Sequence, residues 1–469
     1  MNYISTRGGA PTLDFEQATL AGLASDGGLY LPESWPSMDS EEIRRLHGLT
    51  YAQLATAILS RFTGGTVEAQ DIEKLALRAY GNFHHDAIAP LKQLDDELYF
   101  MELFHGPTLA FKDYALQMLG QFFEFFLERN GRSCTILGAT SGDTGSAAIA
   151  GVRGLPSINL FMLHPEGRVS EVQRRQMTTV LDNNIHNLAV SGTFDDCQNM
   201  VKEVFRDLEF KQRYSLSAVN SINWARIASQ VVYYFRAALA LGAPDRAVNF
   251  SVPTGNFGNV LAGWVALKMG LPVNRLIIGS NSNDILTRFF QTGTMEMKGV
   301  TPTLSPSMDI QISSNFERFL FELLDRDSDH LNQVMERFSS EGKFSVSGDA
   351  LDRASAVFSA YRLNDEETRN EIRKVYEGTG EIIDPHSIIG VSAARKADDN
   401  NHPTVVVGTA HPAKFPDAIH QAIGVDVALP AYAGDLMSQE EKYRSVGNSA
   451  DEIKSIIAES ALPARTEDS

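Results

Sequence analysis

The sequence predicts an α/β protein with two open parallel-sheet α/β domains and a helical N-terminal region. Three observations predict it. From about residue 97, short apolar strands alternate with helices, the pattern of parallel strands joined by right-handed crossovers with helices on both faces. Residues 49–63 and 70–80 have helical periodicity without that alternation. The length of 469 residues exceeds what one hydrophobic core usually fills. The expected division is 1–95 for the N-terminal region, 126–214 for a smaller α/β domain, and 96–125 with 215–469 for a larger one.

The elements follow in order. Phe15-Glu16-Gln17-Ala18 opens a short helix, and residues 26–32 make a tight turn into an extended piece. A strand at 98–103 leads to the turn Gly106-Pro107, with Thr108 as expected N-cap. The helix that follows is apolar nearly all round (Phe111, Ala115, Leu116, Leu119, Phe122, Phe123, Phe126) and is therefore expected to be buried. Strands at 133–137, 158–163 and 185–190 alternate with helices at 147–152, around Val172, Gln176 and Met177, and at 194–208. A long helix covers 221–241. Strand 247–252 runs into helix 260–269, and 275–279 is a strand. Residues 282–310 read as a long irregular excursion. Helices are expected at 316–324, 329–338, 350–361, 366–376 and 385–396, and a strand at 404–407. The charged tail from 435 reads as helical, fraying after Leu462.

Bulk composition narrows the function. A net charge of -18 disfavours a general nucleic-acid binder, which would show a basic face. The two cysteines, Cys134 and Cys197, form neither a CxxC nor a Cys/His metal pattern. No apolar run reaches membrane-spanning length, and the N-terminus lacks a hydrophobic signal core, so a cytoplasmic protein is expected. His84-His85-Asp86 and Asp384-Pro385-His386 lack a third ligand, so no metal is expected.

In parallel sheets ligands sit beyond the carboxyl ends of the strands, so the loops after 103, 139, 252 and 408 deserve the chemistry. Lys112 stands in the first turn of a buried helix. The positive end of the helix dipole and the low dielectric both disfavour its ammonium form. A neutral lysine can bond an aldehyde; the alternative is a lysine whose stem packs and whose head reaches solvent. Gly255-Asn256-Phe257-Gly258-Asn259 lies between a strand and a helix, suiting either a phosphate cradle or a plain tight turn. It is neither GxGxxG nor GxxxxGK[ST]. Thr140-Ser141-Gly142-Asp143-Thr144-Gly145-Ser146 suits a small anion, with Ser141 and Thr144 as donors, or ordinary capping by Ser141 or Asp143. Thr409 ends an apolar strand, and His411 and Lys414 offer positive charge; each has a structural alternative. Arg226, at a donor-rich helix start, is either a partner for a phosphate or carboxylate or a salt-bridged surface arginine.

Taken together, His105-Gly106-Pro107-Thr108-Leu109-Ala110-Phe111-Lys112-Asp113, Ala139-Thr140-Ser141-Gly142-Asp143-Thr144-Gly145-Ser146-Ala147-Ala148, Pro253-Thr254-Gly255-Asn256-Phe257-Gly258-Asn259 and Gly408-Thr409-Ala410-His411-Pro412-Ala413-Lys414-Phe415 resemble the threonine synthase family. Ser5-Thr6-Arg7, Ala24-Ser25-Asp26-Gly27-Gly28-Leu29 and Asp384-Pro385-His386 resemble its longer, bacterial–fungal form. The resemblance spans nearly the whole chain and is weakest beyond about 430. It implies the tryptophan-synthase-β-like fold (fold type II) and pyridoxal 5'-phosphate as cofactor. The implied reaction is a lyase step, the last in threonine biosynthesis, converting O-phospho-L-homoserine and water to L-threonine and phosphate.

The resemblance also implies residue roles. Lys112 would be the Schiff-base lysine, and Gly255, Asn256, Phe257, Gly258 and Asn259 would cradle the cofactor phosphate. Thr409 would meet the pyridine nitrogen, and Asp143 would lie near the cofactor's 3'-oxygen, where relatives often have Asn. Ser141, Thr144, Arg226 and Lys414 are the expected substrate contacts. A monomer is expected, with no nucleic-acid or membrane partner. The alternatives are another lyase of this fold (a threonine or serine dehydratase, or a phospholyase) and a catalytically silent binding homologue. A nucleotide-binding oxidoreductase is disfavoured by the absence of GxGxxG with a following acid.

Overall fold

The structure, a computed structural model, describes residues 1–218, 220–397, 399 and 401–460. Two parallel-type sheets organise it. The larger has six strands in the order Phe358–Arg362, Val273–Ser280, Val248–Pro253, Thr404–Gly408, Leu98–Glu102 and Leu91–Asp95; all pair in parallel except the last two. The smaller has five parallel strands in the order Arg444–Val446, Ile185–Val190, Ile158–Pro165, Cys134–Ala139 and Leu216–Ser217. Val248–Pro253 and Thr404–Gly408 are buried at every residue, as expected of central strands covered on both faces. The N-terminal helices Phe15–Ala21, Tyr51–Thr63 and Ala69–Tyr80 share the main core through Phe15, Phe62 and Tyr80. Among the described residues, no helix is long and apolar enough to cross a membrane.

Three expectations change. The helix expected over 350–361 stops at Ser355, and Phe358–Arg362 is a strand beside Val273–Ser280. Its buried Phe358 and Ala360 alternate with half-buried Ser359 and Tyr361; the step from helical to two-residue period is hidden by the run of small residues before it. The 282–310 excursion contains a helix, Ile285–Thr292, ended by Gly293 at φ 71°, and a short strand, Thr294–Glu296, paired with Lys343–Ser345. The tail contributes the strand Arg444–Val446 before the helix Ala450–Ser460, and both belong to the smaller sheet's core with Leu188, Cys197 and Val204. That sheet therefore draws on chain beyond 214 at Leu216–Ser217 and again near the C-terminus. The fraying expected after Leu462 lies outside the described residues.

One packing contact links the two sheets' helices. Lys112–Arg129 follows a strand of the larger sheet, and Asp143–Val152 follows Cys134–Ala139 of the smaller. They cross glycine to glycine. A Cβ on Gly120 would lie 2.0 Å from the Gly151 carbonyl oxygen, and one on Gly151 would lie 2.5 Å from that of Leu116. Backbone cannot yield as a side-chain tip can, so Gly120→Ala or Gly151→Ala is expected to destabilise the chain by about 1–3 kcal/mol. Urea unfolding measures this; an unchanged midpoint would mean that the helices separate without cost.

Candidate active site

Lys112 is the first residue of its helix, at the amino end of the dipole. The expected Thr108 cap does not form. The chain turns at Leu109 (φ 61°), and the buried Asp113 carboxylate instead accepts from the Thr108 N–H at 2.8 Å and the Thr108 hydroxyl at 2.6 Å. Gly106 is required there, since a Cβ would lie 2.5 Å from Asp113 Oδ2. Lys112 Nζ lies 3.5 Å from Asp143 Oδ2 and 3.4 Å from Ser307 Oγ. Burial lowers its pKa, partly offset by Asp143, while Lys414 and Arg226 add to the lowering.

Asp143 opens its helix but does not cap it; Thr140 Oγ1 accepts from the N–H groups of Gly142 and Gly145 at 3.0 and 2.9 Å. Its two oxygens have separate tasks. Oδ1 takes the Lys414 ammonium at 2.8 Å and the Gln173 amide at 2.8 Å. Oδ2 faces Lys112 and Ser307 Oγ, the latter at 3.4 Å. Against burial, which raises it, Lys414, Lys112 and Gln173 hold the carboxyl well below the usual carboxylate range. Ser141 is exposed and Thr144 half-buried on the same loop.

Lys414 corrects an expectation. Its side chain is fully buried, and its ammonium is committed to Asp143 and, at 2.7 Å, to the Thr108 carbonyl. A desolvated charge must be paired, and this pair occupies the cation that the sequence offers to a substrate anion. Thr409, just after the strand Thr404–Gly408, is buried. Its N–H donates to Ser387 Oγ at 2.7 Å, its hydroxyl lies 3.2 Å from the same oxygen, and its carbonyl accepts from Phe111 N at 2.9 Å, next to Lys112.

The glycine loop has the local geometry of a cradle. Phe257 adopts φ 63° at the start of the helix Gly258–Lys268, and its ring is packed against Phe316 and Phe319. The loop's carbonyls are held from behind: Ser313 Oγ donates to Gly255 O at 2.7 Å, and the backbone and side-chain nitrogens of Asn315 both donate to Asn256 O at 3.1 Å. The first N–H groups of the helix have no intrahelical acceptor. Asn259 Oδ1 accepts from Tyr233 and Tyr234 at 2.7 and 2.9 Å, which leaves its buried Nδ2 without a partner. Arg226 is buried; Nη1 donates to Asn220 O at 2.7 Å and Nε has no partner. Burial pushes its pKa down to about 10, so it is charged at neutral pH.

The structure brings Lys112, Asp143 and the cradle together through Ser307, which the sequence did not single out. A Cβ on Gly255 would lie 3.1 Å from the Ser307 carbonyl, whose own hydroxyl meets Lys112. Ser307 N donates to His386 Nε2 at 3.3 Å, and His386 Nδ1 lies 3.1 Å from the buried Asp384. The Asp384-Pro385-His386 stretch, set aside as a metal site, thus anchors the 305–310 turn; among the described residues no group of three His, Cys, Asp or Glu is placed to hold a metal. Gln173 was likewise missed: nothing local distinguishes it from other helical glutamines.

An amine at a helix start, a phosphate-type cradle one residue's width away with unpartnered buried donors, and a buried threonine hydroxyl suit an aldehyde with a phosphate tail. This is the constellation of a pyridoxal-phosphate-dependent enzyme. The chain matches three family descriptions: "Threonine synthase N terminus" over residues 2–80, "Pyridoxal-phosphate dependent enzyme" over 84–341 and "Threonine synthase, C-terminal" over 387–457. It is 50% identical to the threonine synthase of Pseudomonas aeruginosa over 98% of both chains. It is 43% identical to that of Schizosaccharomyces pombe, over 90% of this chain and 89% of the relative. Among solved structures, pyridoxal-phosphate-bound threonine synthase from Brucella melitensis is 52% identical with a TM-score of 0.97, covering 98% of this chain and 99% of that one. Threonine synthase from yeast is 40% identical with a TM-score of 0.94, covering 98% of each. The chain belongs to the threonine synthase family, and pyridoxal phosphate is its cofactor.

Burial pushes the Asp113 carboxyl up to about 6, against an ordinary carboxylate value near 4. The folded chain therefore binds this proton more tightly than the unfolded one. The stability it contributes is present below about pH 4 and lost as pH rises through about 6. Asp113→Asn keeps the shape without the titration: its oxygen can still accept from the Thr108 N–H, and its NH2 can donate to the Thr108 hydroxyl, reversing that bond. Melting temperatures from pH 4 to 7 are expected to fall in the wild type relative to the variant; a constant difference would contradict the assignment.

Proposed function

We propose that the chain converts O-phospho-L-homoserine and water to L-threonine and inorganic phosphate, with Lys112 bonding the cofactor aldehyde. The observation that carries this is the Lys112 amine: largely enclosed, its side chain 12% exposed, at a helix amino end, and facing the Asp143 carboxylate at 3.5 Å. Bound pyridoxal phosphate supplies an electron sink for charge developing beside the substrate amine. The protein's share is binding, orientation and proton movement. Lys112, whose pKa burial lowers, takes the proton from the substrate Cα and moves a second at Cβ. Loss of the Cβ proton lets the γ-phosphate leave; a proton returns to Cγ, which becomes the methyl group, water adds its oxygen at Cβ, and a proton returns to Cα.

Asp143 orients the amine through Oδ2 while Lys414 and Gln173 hold its other oxygen. Thr409 presents a neutral hydroxyl to the pyridine nitrogen, and the 255–259 loop takes the phosphate. Ser141 and Thr144, on the loop before the Asp143 helix, are left to meet a substrate anion. The proposal includes a monomeric enzyme of the cytoplasm; the buried, unpaired Cys134 and Cys197 are consistent with a reducing compartment.

The test is an absorbance spectrum before and after phosphohomoserine, with threonine and phosphate assayed as products. Wild type is expected to show a band near the visible edge and to release both products. Lys112→Ala is expected to lose the band and to lower kcat by more than about 10³-fold. Deamination of serine or threonine without phosphate release from phosphohomoserine would replace this proposal with a dehydratase.

A further inference from the structure

We propose that the Ser307 hydroxyl positions the Lys112 amine: together with Asp143 Oδ2 it occupies both N–H groups of the neutral amine and leaves the lone pair free for the atom that Lys112 attacks. This rests on Lys112 bonding the cofactor aldehyde, and it adds a second partner to the one that Asp143 supplies.

The three polar atoms form a nearly equilateral triangle. Lys112 Nζ lies 3.5 Å from Asp143 Oδ2 and 3.4 Å from Ser307 Oγ, and Ser307 Oγ lies 3.4 Å from Asp143 Oδ2. Among the described residues, Nζ has no other hydrogen-bond partner. A neutral primary amine has two N–H groups and one lone pair. With one acceptor it can still turn about that single bond; with two, the direction of the lone pair is set. In aldehyde uptake the lone pair forms the bond to the aldehyde carbon, and the aldehyde oxygen takes both amine protons and leaves as water. Contacts of this length are usual for catalytic groups without substrate and tighten when it binds.

Charge decides which way each bond runs. Against burial, which raises it, Lys414 and Lys112 hold the Asp143 carboxyl well below the usual carboxylate range, so it is ionised and only accepts. The Ser307 O–H therefore points to the carboxylate, and its oxygen is left to accept from the amine. Without that carboxylate the same hydroxyl could donate into the amine lone pair and block it. Asp143 thus orients Ser307 as well as Lys112.

The backbone that carries Ser307 is firmly held. Ser307 N donates to His386 Nε2 at 3.3 Å, and Met308 N donates to Ser305 O at 2.9 Å. Asp309 closes the turn from its other end: Oδ1 accepts from Asn281 Nδ2 at 2.7 Å, Asn283 Nδ2 at 2.9 Å and Thr303 Oγ1 at 2.7 Å. Asn281 directly follows the strand Val273–Ser280, so the carboxyl end of a larger-sheet strand fixes the turn. A hydroxyl on so constrained a backbone orients an amine at little entropic cost.

The test reads aldehyde uptake without turnover. Cofactor-stripped protein is mixed rapidly with pyridoxal phosphate and the absorbance rise is followed; kcat and KM for phosphohomoserine and melting temperatures are measured beside it. Ser307→Ala is expected to slow uptake about 10-fold and to lower kcat by about the same factor, with KM within about twofold and an unchanged melting temperature. Ser307→Thr keeps the hydroxyl and is expected to restore most of both rates; where its added methyl lowers the melting temperature, Ser307→Ala decides alone. Unchanged uptake in Ser307→Ala would overturn the proposal. So would slower uptake with a lower melting temperature, which would make Ser307 a structural tie of the 305–310 turn, or a raised KM at unchanged kcat, which would place the hydroxyl against the substrate. Slowed uptake at an unchanged melting temperature, in a protein whose wild type forms no threonine, would sink the proposed reaction and leave this inference standing.

Discussion

A primary amine sunk into protein at the positive end of a helix is unfavourable unless its charge is removed or matched. Here both remedies are built in. Burial and the neighbouring cations drive Lys112 toward neutrality, while one carboxylate oxygen stays within reach of its proton. Asp143 can do this only because its other oxygen is saturated by Lys414 and Gln173. A buried carboxylate without them would rise in pKa and lose the charge that orients the amine. The site is thus a balance of desolvated charges rather than a set of independent groups, and removing one partner is felt by the others.

The two sheets divide the labour. The larger supplies Lys112, Thr409 and the glycine loop from the carboxyl ends of adjacent strands. The smaller supplies Asp143 and Gln173. The close crossing at Gly120 and Gly151 brings the two helices near enough for their first residues to meet. Behind the cradle, Ser313, Asn315 and Arg318 connect the loop's carbonyls to the Ser221–Ile222 turn and to Tyr30 of the N-terminal region. Glu317, in the same helix, accepts from Thr6 and Arg7. The N-terminal residues are in this way mechanically part of the active site, although none of them touches it.

Much of this was legible locally. A two-residue or 3.6-residue period, a glycine turn after an apolar strand and a lysine at a helix start are properties of a few consecutive side chains. The alternation of strands and helices, the lysine at 112 and the loop at 255–259 therefore stood out in the sequence, as did Thr409 at the end of an apolar strand. Local cues failed where two structures share one composition. The step from helix to strand near residue 357 carries no turn signal, and Thr108 looked like a cap until Asp113 folded back onto it.

The chain's order of residues determined by itself the α/β class, the helix that presents Lys112 and the candidate phosphate turn, because each follows from neighbours along the backbone. Only tertiary structure decided what those groups face. Lys414 meets a carbonyl 306 positions away, and Lys112 meets a hydroxyl 195 positions away. Whether a buried lysine binds a ligand or a neighbouring carboxylate depends on which partner the packed core brings within about 3 Å, a distance no spacing along the chain encodes.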